Sequence, residues 1–60
     1  MDKNRTIYIG DKFRGTNGIF EIVDKLYENG RVYLKVYHLD SKKYIICEYN
    51  YFKHLELEEV

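Results

Sequence analysis

Ile19-Phe20-Glu21-Ile22-Val23-Asp24-Lys25-Leu26-Tyr27, then Glu28-Asn29-Gly30-Arg31, then Val32-Tyr33-Leu34-Lys35-Val36-Tyr37-His38-Leu39 decides the fold. Two runs rich in β-branched and aromatic residues flank an Asn-Gly pair, the strongest short hairpin signal. Asn29 and Gly30 both tolerate positive φ, which a type I′ turn requires if its twist is to match the strands. A two-residue loop sets Glu28 opposite Arg31, Leu26 opposite Tyr33, Asp24 opposite Lys35 and Ile22 opposite Tyr37. On the other face Tyr27 meets Val32, Lys25 meets Leu34 and Val23 meets Val36. Two opposite-charge pairs result, each worth roughly 0.2–1 kcal/mol, whereas a slip of one residue sets Lys25 against Lys35. Val23, Val32, Leu34 and Val36 then form the core face. A bulge near Ile22–Val23 is the alternative, and it turns Phe20 and Ile22 inward. In either case Tyr33 and Tyr37 stay on the outer face.

Outward from the hairpin, Leu39–Lys43 closes a second turn in which Asp40 and Ser41 can bond backbone amides. Tyr44–Tyr49 is the next strand, with Ile45, Cys47 and Tyr49 inward and Tyr44, Ile46 and Glu48 outward. Asn50–His54 has cap chemistry and room for one turn of 3₁₀ type. Leu55–Glu58 alternates as a closing strand. Upstream, Gly15–Gly18 is a turn, Lys12–Arg14 alternates with Phe13 inward, and Thr6–Ile9 reads as a short lead-in strand. Gly15-Thr16-Asn17-Gly18 also matches the G-x-x-G of KH domains, but that loop joins helices. Residues 1–6 are polar and expected to fray. The layout predicts an all-β fold: a small SH3-like barrel of about five short antiparallel strands, in one domain over residues 1–60.

Sixty residues bury only ~60% of the surface the unfolded chain exposes, and such a core rarely yields more than ~3–5 kcal/mol. A single cysteine, Cys47, excludes an internal disulfide, so association is the remaining way to add stability. The hydrophobic fraction of 45% is too high for disorder, and no apolar run approaches a membrane span. These features predict a soluble protein that is not membrane-bound, located in the cytoplasm. The chain lacks Ala, Pro and Trp and is crowded with Lys, Ile, Tyr and Asn, a usage that fits an AT-rich genome such as that of a low-GC bacterium or its phage.

His38, Asp40, Cys47 and His54 are the residues with chemistry in them. Their spacing is irregular, a zinc site needs four converging ligands, and alternation turns Cys47 inward. The expectation is therefore a non-enzymatic protein with no cofactor and no metal. An enzyme built on Cys47 and His54 is the least favoured reading. The seven tyrosines are the better clue, because interfaces favour a residue with large apolar area and few rotors. The protein-binding candidates are Tyr33, Tyr37, Tyr44 and Ile46, facing a second copy in a homodimer or another protein. Alternatively the aromatics could stack on unpaired bases while Lys12, Arg14, Arg31 and Lys35 contact phosphate. Ten basic residues against ten acidic ones argue against that nucleic-acid reading.

Four segments, G-D-K-F (Gly10–Phe13), F-E-I-V (Phe20–Val23), V-Y-L-K-V (Val32–Val36) and E-Y-x-x-F-K (Glu48–Lys53), resemble the small SH3-like modules of bacteriophage proteins. The resemblance is closest to the short barrels found beside homing-endonuclease-type DNA-binding domains. It covers core and turn positions, so it bears on fold more than on function. Read as a free-standing module with balanced charge, the chain is also similar to very small phage proteins that disable host defence, the anti-Hachiman proteins among them. That likeness implies an inhibitor that binds a host defence protein.

Overall fold

The computed structural model describes residues 5–60. Five antiparallel strands form one sheet: β1 (Lys12–Gly15), β2 (Gly18–Glu28), β3 (Arg31–His38), β4 (Lys43–Glu48) and β5 (Glu58–Glu59). A five-residue helix, α1 (Tyr49–Lys53), sits between β4 and β5. The strand order is β4-β3-β2-β1-β5, so β4 and β5 are the two edges. The result is the all-β, barrel-like layout expected from the hairpin pattern.

Asn29 (φ 51°) and Gly30 (φ 76°) both take positive φ, and Glu28 pairs with Arg31 across them. The register then runs through Leu26–Tyr33 to Asp24–Lys35 and shifts, so that Ile22 meets Val36 and Phe20 meets His38. The bulge at Val23 is therefore present, and the unbulged pairs Ile22–Tyr37 and Val23–Val36 are not. Its effect is to turn Ile22 into the core, while Val23 and Val32 are only half-buried. A regular strand of this length would have kept Ile22 on the outer face.

The core is Ile7, Phe13, Ile22, Leu34, Val36, Phe52 and Leu57. Phe13 meets Phe52 edge-on, with centroids 5.5 Å apart. Lys25 lies opposite Leu34 on the inner face and extends its ammonium over the rings of Tyr8 (5.6 Å) and Tyr49 (5.4 Å). Its stem thus covers apolar surface while its charge reaches an aromatic rim.

Elsewhere the structure corrects the sequence reading. Thr6–Ile9 is not a strand. Residues 8–11 instead form a turn in which Tyr8 C=O accepts from Asp11 N–H (3.1 Å), with Gly10 at φ 97°. This turn is tied to Ile22 by bonds of 2.7 and 2.9 Å, and Ile7 N–H donates to the Tyr49 hydroxyl (2.9 Å). Ile7 is thereby held in the core without a strand. Of the stretch expected to fray, residues 1–4 lie outside the described residues. Arg5 is anchored, bonding Asp11 and Glu59 and lying 5.7 Å from the Phe13 ring.

The single turn is α-helical over Tyr49–Lys53 rather than 3₁₀ over Asn50–His54, and its N-cap, Glu48, makes no side-chain cap bond. Bonds from His54 to Tyr51 and from Leu55 to Phe52 (3.1 Å each) then tighten its end in 3₁₀ fashion. The closing strand is Glu58–Glu59, set against Arg14 and Phe13, not Leu55–Glu58. No helix among the described residues is long and apolar enough to cross a membrane.

Candidate functional site

The four-residue turn between β3 and β4 pairs His38 with Lys43, which fixes the outer face. Tyr37 falls opposite Tyr44, Lys35 opposite Ile46 and Tyr33 opposite Glu48. All four protein-binding candidates therefore share one surface. The Tyr37 and Tyr44 rings are 4.9 Å apart and tilted by 51°. The Lys35 ammonium sits 4.9 Å from the Tyr44 centroid, within the range of a cation–π contact. Tyr44 is 61% exposed and Ile46 59%, while Tyr33 and Tyr37 are half-buried. The face thus has two exposed side chains, Tyr44 and Ile46, on β4 and two half-buried tyrosines on β3.

The basic candidates are dispersed. Lys12 lies opposite Glu21, Arg14 opposite both Ile19 and Glu58, and Lys35 opposite Asp24. Arg31, across from Glu28, bridges Glu48 at 3.5 Å beside a cleft of about 390 Å³. An acid stands next to each cation. By register all four project from the same side of the sheet as the tyrosines, but only Lys35 reaches one of their rings.

His38 acts in packing, while Asp40 is exposed on the turn that follows it. His38 stacks on Phe20 with centroids 4.7 Å apart. The Asn17 carbonyl accepts from its Nε2–H at 2.5 Å, which leaves Nδ1 of the neutral ring to accept from the Ser41 hydroxyl at 2.6 Å. The ring thus clamps the β1–β2 turn to the β3–β4 turn. His54 Nδ1 donates to the Asn50 carbonyl (2.6 Å), within its own helical turn. Burial pushes the Cys47 thiol up from its ordinary value, which keeps it protonated and disfavours the nucleophilic thiolate. Among the described residues, no three His, Cys, Asp or Glu side chains cluster as metal ligands.

The sequence reading missed a groove. Ile45, expected in the core, is 45% exposed, and Cys47 and Tyr49 are half-buried against the core. With Phe20, Tyr51, Leu55 and Leu57, Ile45 and Cys47 line an apolar groove of about 230 Å³. The groove lies between the edge strand β4 and the segment leading to β5. Alternation correctly turned Ile45 to the inner side, but that side is left uncovered at the edge of the sheet.

Comparison with protein-family models, with curated proteins and with solved structures finds no match to this chain.

Proposed function

We propose that this protein is a non-enzymatic binding module that acts by protein–protein contact through the outer face of β3 and β4. The observation that carries the reading is the convergence of Tyr33, Tyr37, Tyr44 and Ile46, with Tyr44 and Ile46 largely exposed on an edge strand. Aromatic side chains that are prepacked yet accessible lose little entropy on binding and make good interface anchors. The neutral charge balance and the acid beside each candidate cation favour a protein partner over nucleic acid, whose affinity comes largely from unopposed cations. The resemblance to small phage modules makes a bacterial host defence protein, met in the host cytoplasm, the partner class of choice and inhibition the proposed outcome.

The test is affinity capture from bacterial lysate with mass-spectrometric identification, using the unaltered chain, Tyr37→Glu, Tyr44→Glu and, as a control remote from the face, Tyr27→Glu. A protein retained by the unaltered chain and by Tyr27→Glu but lost with the other two supports the reading. Retention by the unaltered chain and all three variants alike refutes it. Titration with single- and double-stranded DNA at two salt concentrations checks the rival: salt-sensitive binding abolished by Lys35→Ala would replace the protein reading with the nucleic-acid one.

A further inference from the structure

The two edges of the sheet are unlike. β5 is two residues long and both are glutamates, a short charged edge of the kind that discourages further pairing. β4 runs six residues, roughly 20 Å, without a register shift or a proline, and Tyr44, Ile45 and Ile46 are all exposed. A long, regular, apolar edge is a template for another strand. Its polar backbone atoms face the right way. The two-residue turn makes Glu28–Arg31 a pair that exchanges both backbone bonds, and ladder alternation then directs Leu34 and Val36 toward Cys47 and Ile45 of β4. The N–H and C=O groups of Tyr44 and Ile46 are left pointing away from the sheet.

We propose that β4 pairs antiparallel with β4 of a second copy, about a two-fold axis at Ile45. The proposal rests on the preceding section only in taking β3–β4 as the contact surface, and it names one occupant of that surface. Two-fold pairing of one strand with itself requires opposed residues to share a face, which restricts the centre to a residue position. Centred on Ile45, Ile45 meets itself over the apolar groove and Tyr44 meets Ile46 twice on the outer face, while Lys42, in the turn at φ 58° just before the strand, brings a cation to the end where the partner's Glu48 lies. Lys43 falls opposite Cys47, where its stem can lie along the sulfur. Centring on Tyr44 sets Lys43 against Ile45, and centring on Ile46 sets Tyr44 against Glu48. Only the Ile45 centre sets the three exposed apolar residues, Tyr44, Ile45 and Ile46, against one another. Zero net charge adds no long-range repulsion between copies. The pairing covers Ile45, joins the two grooves across the axis and merges the two tyrosine faces into one.

Sedimentation equilibrium of the 60-residue chain over a wide concentration range tests this. The mass should rise with concentration from 7.3 kDa to twice that value. Ile45→Lys and Ile45→Asp, at a partly exposed position, should each weaken self-association by roughly tenfold or more, because like charges then face each other. Mixed in equal amounts, the two variants should recover the dimer, since each charge now meets its opposite. Lys42→Glu, in an exposed turn, should also weaken the dimer without touching the groove. Circular dichroism confirms that each variant is folded. A chain monomeric at every concentration overturns the proposal. So do Ile45 variants that dimerise normally, or folded variants whose mixture stays monomeric. A monomer that still captures a protein in a Tyr37-dependent way refutes the pairing while leaving the binding reading standing.

Discussion

Replacing Gly18 by alanine should destabilise the protein by about 1–3 kcal/mol, and backbone strain rather than crowding should cause it. Gly18 begins β2 at φ 115°, where an L side chain is strained whatever the space around it. An added Cβ would also clash with the Asp40 carboxylate and stand 3.2 Å from His38 Nε2. The two contacts are unequal. Asp40 is exposed and can swing its carboxylate into water, whereas His38 is held by the Phe20 stack and by bonds to Asn17 and Ser41. The clash is therefore relieved cheaply and the strain is not. Against a core worth ~3–5 kcal/mol, the loss is about a fifth of the stability or more. With an m-value of about 1 kcal/mol/M, the urea midpoint should fall by about 1–3 M. The assay is urea unfolding of the unaltered protein, Gly18→Ala, Asp40→Ala and the double variant. Asp40→Ala should rescue little of the loss, and the cycle should close to within about 0.5 kcal/mol. A Gly18→Ala cost below about 0.5 kcal/mol, or rescue of most of it by Asp40→Ala, would refute the reasoning.

Two further outcomes follow from ionisable groups. Glu59 accepts a hydrogen bond from Arg5, which holds its carboxyl below the usual carboxylate value of 4.5. A lowered folded-state pKa means the unfolded chain takes up protons first, so this contribution is complete above that value and is lost as pH falls through the folded one. Melting temperatures at neutral and acid pH should show Glu59→Gln flattening the acid limb, and an unchanged slope would remove the bond from the account. Burial raises the Cys47 thiol, so iodoacetamide at neutral pH should modify it more slowly in the folded protein than in urea; equal rates would mean the site is open.

The hairpin was legible because its signals are local and mutually consistent. Asn29-Gly30 sets the turn, the charge pairs set the register, and alternation sets the faces, all within a few residues. The tyrosine face follows from the same parity. Opposition of Tyr37 to Tyr44 needed one more fact, the His38–Lys43 closure of the second turn. The bulge at Val23 had a weaker trace: it was the arrangement that puts both Phe20 and Ile22 inward. The entry segment had none. Ile7 is buried because a tyrosine 42 positions away accepts its amide proton, and no window of sequence displays such a bond. Ile45 marks a different limit. A period of two says which side of the sheet a residue faces, but whether anything covers that side depends on where the chain ends up after β4.

Ile45 also connects stability with function. This domain has one cysteine and no cluster of metal ligands among its described residues, so its small core has neither common staple. It nevertheless leaves Tyr44, Ile45 and Ile46 exposed along one strand, surface that a solitary domain gains nothing by showing to water. The glutamate-tipped β5 shows that an edge of the same sheet can be guarded with two residues. An undefended β4 at the opposite edge from a guarded β5 is the asymmetry that the proposed pairing of β4 would account for. If β4 is covered as proposed, the added apolar contact should couple the domain's apparent stability to its concentration, so the melting temperature should rise with protein concentration; a constant value would count against the pairing.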